Sequence, residues 1–104
     1  MSEITPRELH ALRRREPIVV IDVREPWEYA ICQIGGSLSI PLASLPERAG
    51  QLAPDALTVL VCHHGMRSLA AVDYLRGLGF TRVLNLTGGI QRWSEDVDPA
   101  MPQY

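Results

Sequence analysis

Two short apolar runs constrain the fold more than anything else in the chain: Ile18-Val19-Val20-Ile21 and Val59-Leu60-Val61. Neither alternates with polar residues, so neither suits a strand with one face in water. Each reads as a strand buried on both faces, as in a parallel sheet covered by helices. Both end abruptly. The first gives way to Asp22-Val23-Arg24-Glu25, the second to Cys62-His63-His64-Gly65-Met66-Arg67-Ser68. In open α/β sheets the carboxyl ends of strands border the ligand crevice, so both switches mark candidate site residues.

The rest of the chain alternates helix and strand. Thr5-Pro6-Arg7-Glu8 combines a capping box with a proline suited to the first helical position, and predicts a helix with Leu9 and Leu12 on its apolar stripe. Arg13, Arg14 and Arg15 fall in its last turn, where cations suit the dipole; a solvated helix end explains them better than a binding patch. Pro26 opens a short helix to Ile31, with Trp27 and Tyr29 as core candidates. Gly35 and Gly36 break it, and Leu38 to Pro41 is a short strand ended by proline. Leu42 to Leu52 reads as loop and modest helix, Pro54-Asp55 as a turn, and Leu57 to Val61 as the central strand. A helix from Ser68 to Leu78 places Leu69, Val72, Leu75 and Leu78 toward a core, with Asp73 and Arg76 outward and Gly79 as its stop. Val83 to Leu86 is a further strand, and Thr87-Gly88-Gly89 turns into a last helix bearing Ile90 and Trp93. Residues 96–104 read as an extended surface tail. The pattern predicts one domain over residues 1–104, three-layer α/β, with a mostly parallel central sheet of four to five strands flanked by helices.

At 104 residues the chain can build one core without disulfide or metal staples. A formal net charge of −2 gives no reason to expect nucleic acid or an anionic membrane as a partner. All ten basic residues are arginine, which removes lysine Schiff-base and general-base chemistry. Cys32 and Cys62 make no disulfide framework, and no apolar run approaches membrane length. With no apolar signal segment at the start, the expected compartment is a reducing cytoplasm.

Cys62 stands at the end of a buried strand, just before a helix. The turn between them can aim backbone N–H groups inward, and the helix N-terminus adds partial positive charge. Both favour an anion, and the first anion they meet is the thiolate, the reactive form of cysteine. The competing reading is a buried free cysteine that merely fills a strand end. Four residues separate Cys62 from Arg67. Cysteine phosphatases use a loop one residue longer, wide enough to ring a tetrahedral oxyanion; here that later position is Ser68, which supplies no cation. The tighter loop suits a single sulfur atom carried on the cysteine.

Four stretches together resemble the rhodanese-family sulfurtransferases in their small single-domain form. They are Asp22-Val23-Arg24-Glu25 with Trp27-Glu28-Tyr29; Ile34 to Pro41; Cys62 to Ser68; and Leu86-Thr87-Gly88-Gly89-Ile90 with Trp93. Gln33, Gly35 and Ser39 depart from the family's usual histidine, proline and asparagine, away from the nucleophile. The resemblance implies a persulfide-carrying Cys62, a cradle of main-chain amides from His63 to Ser68, and Arg67 as the closing loop residue. It implies a sulfur donor such as thiosulfate, and as acceptor cyanide in an assay or a small-molecule or protein thiol. It needs no metal or organic cofactor.

The remaining candidates carry two readings each. His63 and His64 line the pocket mouth and guide an anionic donor or move protons, or are exposed without consequence; adjacent in sequence, they suit a metal poorly. Gly65 and Met66 contribute through their amides. Ser68 is a helix-start hydroxyl with a secondary hydrogen bond to the sulfur. Arg24 binds substrate, or pairs with Asp22. Cys32 is a packed small residue rather than a resolving thiol. A non-catalytic regulatory or interaction module and a cysteine phosphatase or arsenate reductase are the alternative functions. The sulfurtransferase reading requires a thiol that solvent reaches.

Overall fold

In the computed structural model, which describes residues 3–104, the two apolar runs lie side by side in one five-stranded sheet. In chain order the elements are β1 (Glu3–Ile4), α1 (Pro6–Arg13), β2 (Val19–Asp22), α2 (Pro26–Ile31) and β3 (Leu38–Ser39). There follow α3 (Leu45–Arg48), set between two single 3-10 turns, then β4 (Thr58–Val61), α4 (Met66–Gly77), β5 (Val83–Leu86) and α5 (Gly89–Asp96). The strand order is β1-β5-β4-β2-β3, and every pairing is parallel. The predicted parallel α/β architecture is therefore what forms. β1 is too short to carry a periodic signal; it exists because Glu3 and Ile4 pair with Asn85 and Leu86.

Side-chain alternation divides the two central strands between two apolar layers. Val20, Val59 and Val61 pack with Leu9, Leu86, Ile90 and Trp93 on one side of the sheet. Ile21, Leu60 and Cys62 pack with Leu45, Val72, Leu75 and Phe80 on the other. Each fully buried aliphatic side chain contributes about 1.5–3 kcal/mol, which is why an unbroken apolar run is tolerated only where both faces are covered. The same alternation assigns Cys62 to the α4 side.

The helices follow their sequence signals with instructive exceptions. Thr5 caps α1 with the reciprocal bonds of a capping box, Glu8 N to Thr5 Oγ1 at 3.2 Å and Thr5 N to Glu8 Oε1 at 2.8 Å. α4 starts at Met66 and not at Ser68, because Gly65 takes the cap position with φ +102°, a conformation glycine adopts without steric cost. Its buried face is then Ser68, Ala71, Val72 and Leu75, while Leu69 and Leu78, expected in the core, are exposed at 38% and 51%. Gly79 ends the helix as predicted: its N–H bonds Arg76 O, and Phe80 N bonds Leu75 O, so Phe80 enters the core in place of Leu78. Trp27 is also not core. It is 61% exposed, since the single buried position of α2 is Glu28.

Residues 98–104 do not simply lie extended on the surface. Met101 is buried against the α1–α5 layer, and Tyr104 returns to the carboxyl ends of the strands. From β2 the chain moves outward to β3, and from β4 it moves outward to β5 on the opposite side. The carboxyl ends of β2 and β4 therefore flank the topological switch point, where open α/β sheets form their crevice.

Candidate active site

Cys62 follows the last residue of β4, and its carbonyl points away from the loop interior. The reason lies in α5. The first amides of that helix have no intrahelical acceptor, and two are satisfied by the loop: Ile90 N bonds Cys62 O at 2.8 Å and Gln91 N bonds His63 O at 3.1 Å. This approach demands glycine at position 89, where a Cβ would stand 2.3 Å from Cys62 O. With two carbonyls anchored outward, the loop can present N–H groups to the other side. Gly65 N donates to Cys62 Sγ at 3.1 Å, and among the described residues it is the amide of the expected cradle that does so.

Ser68 Oγ completes the sulfur's surroundings at 3.3 Å from Cys62 Sγ. The same hydroxyl bonds Asn85 Oδ1. Asn85 Nδ2 is committed to Gly65 O at 3.0 Å and to the Glu3 carboxylate, which fixes the amide with its oxygen toward Ser68. One hydroxyl hydrogen serves one acceptor at a time, so Ser68 can face Asn85 or the sulfur. Asn85 was not legible as a site residue; it is a polar residue inside a buried strand, and that was its only signal.

Arg67 lies in the first turn of α4 and makes a bidentate pair with Glu28, Nη1 to Oε1 at 2.6 Å and Nη2 to Oε2 at 2.8 Å. The Arg67 guanidinium, reinforced by the Glu25 amide, outweighs burial and holds the Glu28 carboxyl down at about 2. Tyr104 adds a further hydrogen bond to Glu28 Oε2 at 2.8 Å. Sequence reasoning does not single out Glu28 as a site residue, although it lies in the Trp27-Glu28-Tyr29 stretch that carries part of the resemblance. Its available signal was the position three residues after the cap of α2, where its carboxylate also accepts from Glu25 N.

Arg24 takes the structural of its two expected roles. It is completely buried, and its guanidinium bonds the Asp22 carboxylate, Cys32 O, Glu28 O and Tyr104 OH. Every N–H donor has a partner, so none is left to bind a substrate in this conformation. This corrects the expectation of a substrate-binding Arg24.

His63 and His64 stack with centroids 4.1 Å apart, and Tyr104 stacks on the other face of His63 at the same distance. Burial, with the neighbouring His64, lowers the pKa of His63. Met66 projects outward and is highly exposed. Cys62 itself is only 1% exposed, so the thiol is closed off where an open one was expected. Cys32 is also buried, but in the layer on the opposite side of the sheet from Cys62.

The fold and the site define a class: a parallel α/β domain that holds one thiol at the end of its central strand, between an inward amide and a helix start. The rhodanese-like domain model matches residues 5–96, and the chain belongs to that family. It is 36% identical over 96 residues to the thiosulfate sulfurtransferase GlpE of Pseudomonas putida, covering 89% of this chain and 87% of that one. It is 38% identical to the probable adenylyltransferase/sulfurtransferase MoeZ of Mycobacterium tuberculosis, where it covers 99% of this chain but spans only 27% of that longer protein. The crystal structure of a rhodanese-related protein from Thermoplasma volcanium superposes with a TM-score of 0.85 at 35% identity, over 93% of this chain and 94% of the other. No helix among the described residues is long and apolar enough to cross a membrane.

Proposed function

We propose that the protein is a cytoplasmic sulfurtransferase that carries a sulfane sulfur as a persulfide on Cys62. The observation that supports this most is the hydrogen bonding at one sulfur, Gly65 N–H at 3.1 Å and the Ser68 hydroxyl at 3.3 Å, at the start of α4. Both donors and the helix terminus favour negative charge on that atom. Once the loop opens to admit solvent and donor, the Cys62 thiol loses its proton to water and the Ser68 hydrogen turns from Asn85 to the sulfur. The thiolate attacks the outer sulfur of thiosulfate; the new S–S bond forms as the old one breaks, and sulfite leaves with the bonding pair. The product, Cys62–S–S⁻, keeps the negative charge near the same donors. An acceptor thiolate, or cyanide in an assay, then attacks the terminal sulfur and frees the Cys62 thiolate, as covalent catalysis by a carrier nucleophile requires.

In this reading Arg67 is the cation that closes the loop. Held by Glu28 yet 38% exposed, it keeps a face toward incoming anions. His63, His64 and Met66 form the rim. Mixing with thiosulfate is expected to release one sulfite per chain and none from Cys62→Ser. Absence of this burst would remove the proposal. The closure of Cys62 favours a second reading, a non-catalytic binding module that keeps the fold. Measurable thiosulfate:cyanide turnover dismisses it.

A further inference from the structure

Asn85 is a polar residue inside β5, 3% exposed, between Leu84 and Leu86. Strand alternation turns Leu84 and Leu86 toward the α1–α5 layer and Val83 toward the α4 layer, so Asn85 faces the α4 side with Cys62. Burying an amide costs free energy unless its hydrogen bonds are made, and here both of its polar atoms have partners. Nδ2 donates to Gly65 O at 3.0 Å and to both oxygens of the Glu3 carboxylate at 3.3 Å. A flipped amide would set its oxygen against those three acceptors. Oδ1 is therefore held toward Ser68, whose hydroxyl donates to it. Gly65 and Ser68 are also the two residues that hydrogen-bond the Cys62 sulfur. One side chain thus bonds both residues that donate to the sulfur.

We propose that Asn85 is a positioning residue that governs the Cys62 thiolate through Ser68, as the rival acceptor for its one hydroxyl hydrogen. This rests on Cys62 being the reacting thiol. A neutral thiol sulfur is a weak acceptor and an amide oxygen a good one, so in the resting protein the hydroxyl points to Asn85. The Cys62 S–H can then donate to a lone pair of Ser68 Oγ. When the S–H bond breaks and its proton passes to water, the sulfur becomes a charged acceptor, and charge-assisted hydrogen bonds are roughly twice as strong as neutral ones. The hydroxyl turns to the sulfur, and Asn85 Oδ1 gives up its bond. Asn85 thereby limits how far Ser68 stabilises the thiolate, because the bond gained at the sulfur is set against the one lost at the amide. This bears on rate. A thiolate loses nucleophilicity as it is stabilised, and the best attacking thiol ionises near the ambient pH.

The test follows Cys62 ionisation at equilibrium through the ultraviolet absorbance of its thiolate, and needs neither a sulfur donor nor a labelling reagent. Cys32→Ala removes the second thiol, and the Cys62→Ser counterpart of each protein supplies the tyrosine baseline. Ser68→Ala, Asn85→Ala and the double variant complete a cycle with that parent. The charged groups around the loop, His63, His64, Arg67 with Glu28, and Glu3, are common to all four proteins. The lost Gly65 bond is common to both Asn85 variants, so the cycle isolates the coupling of Ser68 with Asn85. Ser68→Ala is expected to lower the thiolate-to-thiol ratio, and to lower it about fivefold more when Asn85 is absent. Equal reductions would make Asn85 a structural amide and overturn the proposal. A smaller reduction without Asn85 would overturn it too, since Asn85 would then assist the Ser68 bond. If Asn85→Ala does not fold, nuclear magnetic resonance of the wild type decides. The Asn85 side-chain carbonyl carbon is expected to shift as Cys62 ionises and to stay still in Ser68→Ala, and a wild-type carbon that ignores the ionisation overturns the proposal. Coupling without a thiosulfate-derived persulfide would fault the proposed reaction alone; a persulfide without coupling would fault the role of Asn85 alone.

Discussion

The two cysteines are nearly equally buried, Cys62 at 1% and Cys32 at 3%, and neither forms a disulfide. What separates them is what the backbone aims at each sulfur. Cys62 sits before the N-terminus of α4, with an amide and a hydroxyl turned toward it. Cys32 sits at the opposite kind of helix end, as the C-cap of α2, where the dipole disfavours an anion. Its sulfur meets a side-chain N–H of Arg24 at 3.9 Å, from a guanidinium already committed to shorter bonds. Burial alone therefore does not distinguish the two cysteines. Placement between strand end and helix start does.

The largest expected effect tests that distinction directly. Cys62→Ser is expected to abolish sulfur transfer, whereas Cys32→Ala keeps the transfer rate and loses some thermal stability through packing. Steady-state kinetics and melting on both variants check it. Loss of activity in Cys32→Ala at intact stability would erase the contrast.

Next in size is the backbone support beneath each cysteine. Gly89 has φ +59° and no room for a Cβ beside Cys62 O, so Gly89→Ala is expected to cost at least about 1–3 kcal/mol from strain, with the clash added. Gly35, three residues after Cys32, has nothing within 4 Å of its Cβ position, and Gly35→Ala is expected to be nearly neutral. Urea denaturation of the two variants measures the difference.

Arg67→Ala is expected to reduce sulfur transfer more than stability, since Arg67 lies partly exposed at the loop. Equal losses in kinetics and melting would make it a structural tie to α2 and nothing more. The smallest effect concerns its partner. Glu28 in the folded state sits at about 2, below its ordinary value of 4.5, chiefly through Arg67. Its contribution to stability is thus fully present above about pH 4.5 and is lost as pH falls toward about 2. Glu28→Gln is expected to flatten that part of the acid denaturation curve. An unchanged curve would show that the pair adds nothing in solution.

Local signals in the sequence were sufficient wherever one short stretch settles its own geometry. The non-alternating strands, the Thr5 cap, the Gly79 stop and the thiol before a helix start were all readable for that reason. Gly65 shifted the start of α4 by two residues, because a left-handed glycine cap is indistinguishable in sequence from a turn glycine. Trp27 misled because aromatic character outweighed the pull of a buried Glu28–Arg67 pair formed across 39 positions. The return of Tyr104 to Arg24 and the pairing of Asn85 with Ser68 are long-range side-chain contacts, and no periodicity reports them. The closure of Cys62 is a consequence of the whole loop's surroundings and was illegible for the same reason.

The most direct measurement is to treat the protein with thiosulfate, digest it without reductant, and locate added sulfur by mass spectrometry. One extra sulfur is expected on the peptide containing Cys62 and none on the peptide containing Cys32. Sulfur on Cys32, or on neither, would contradict it.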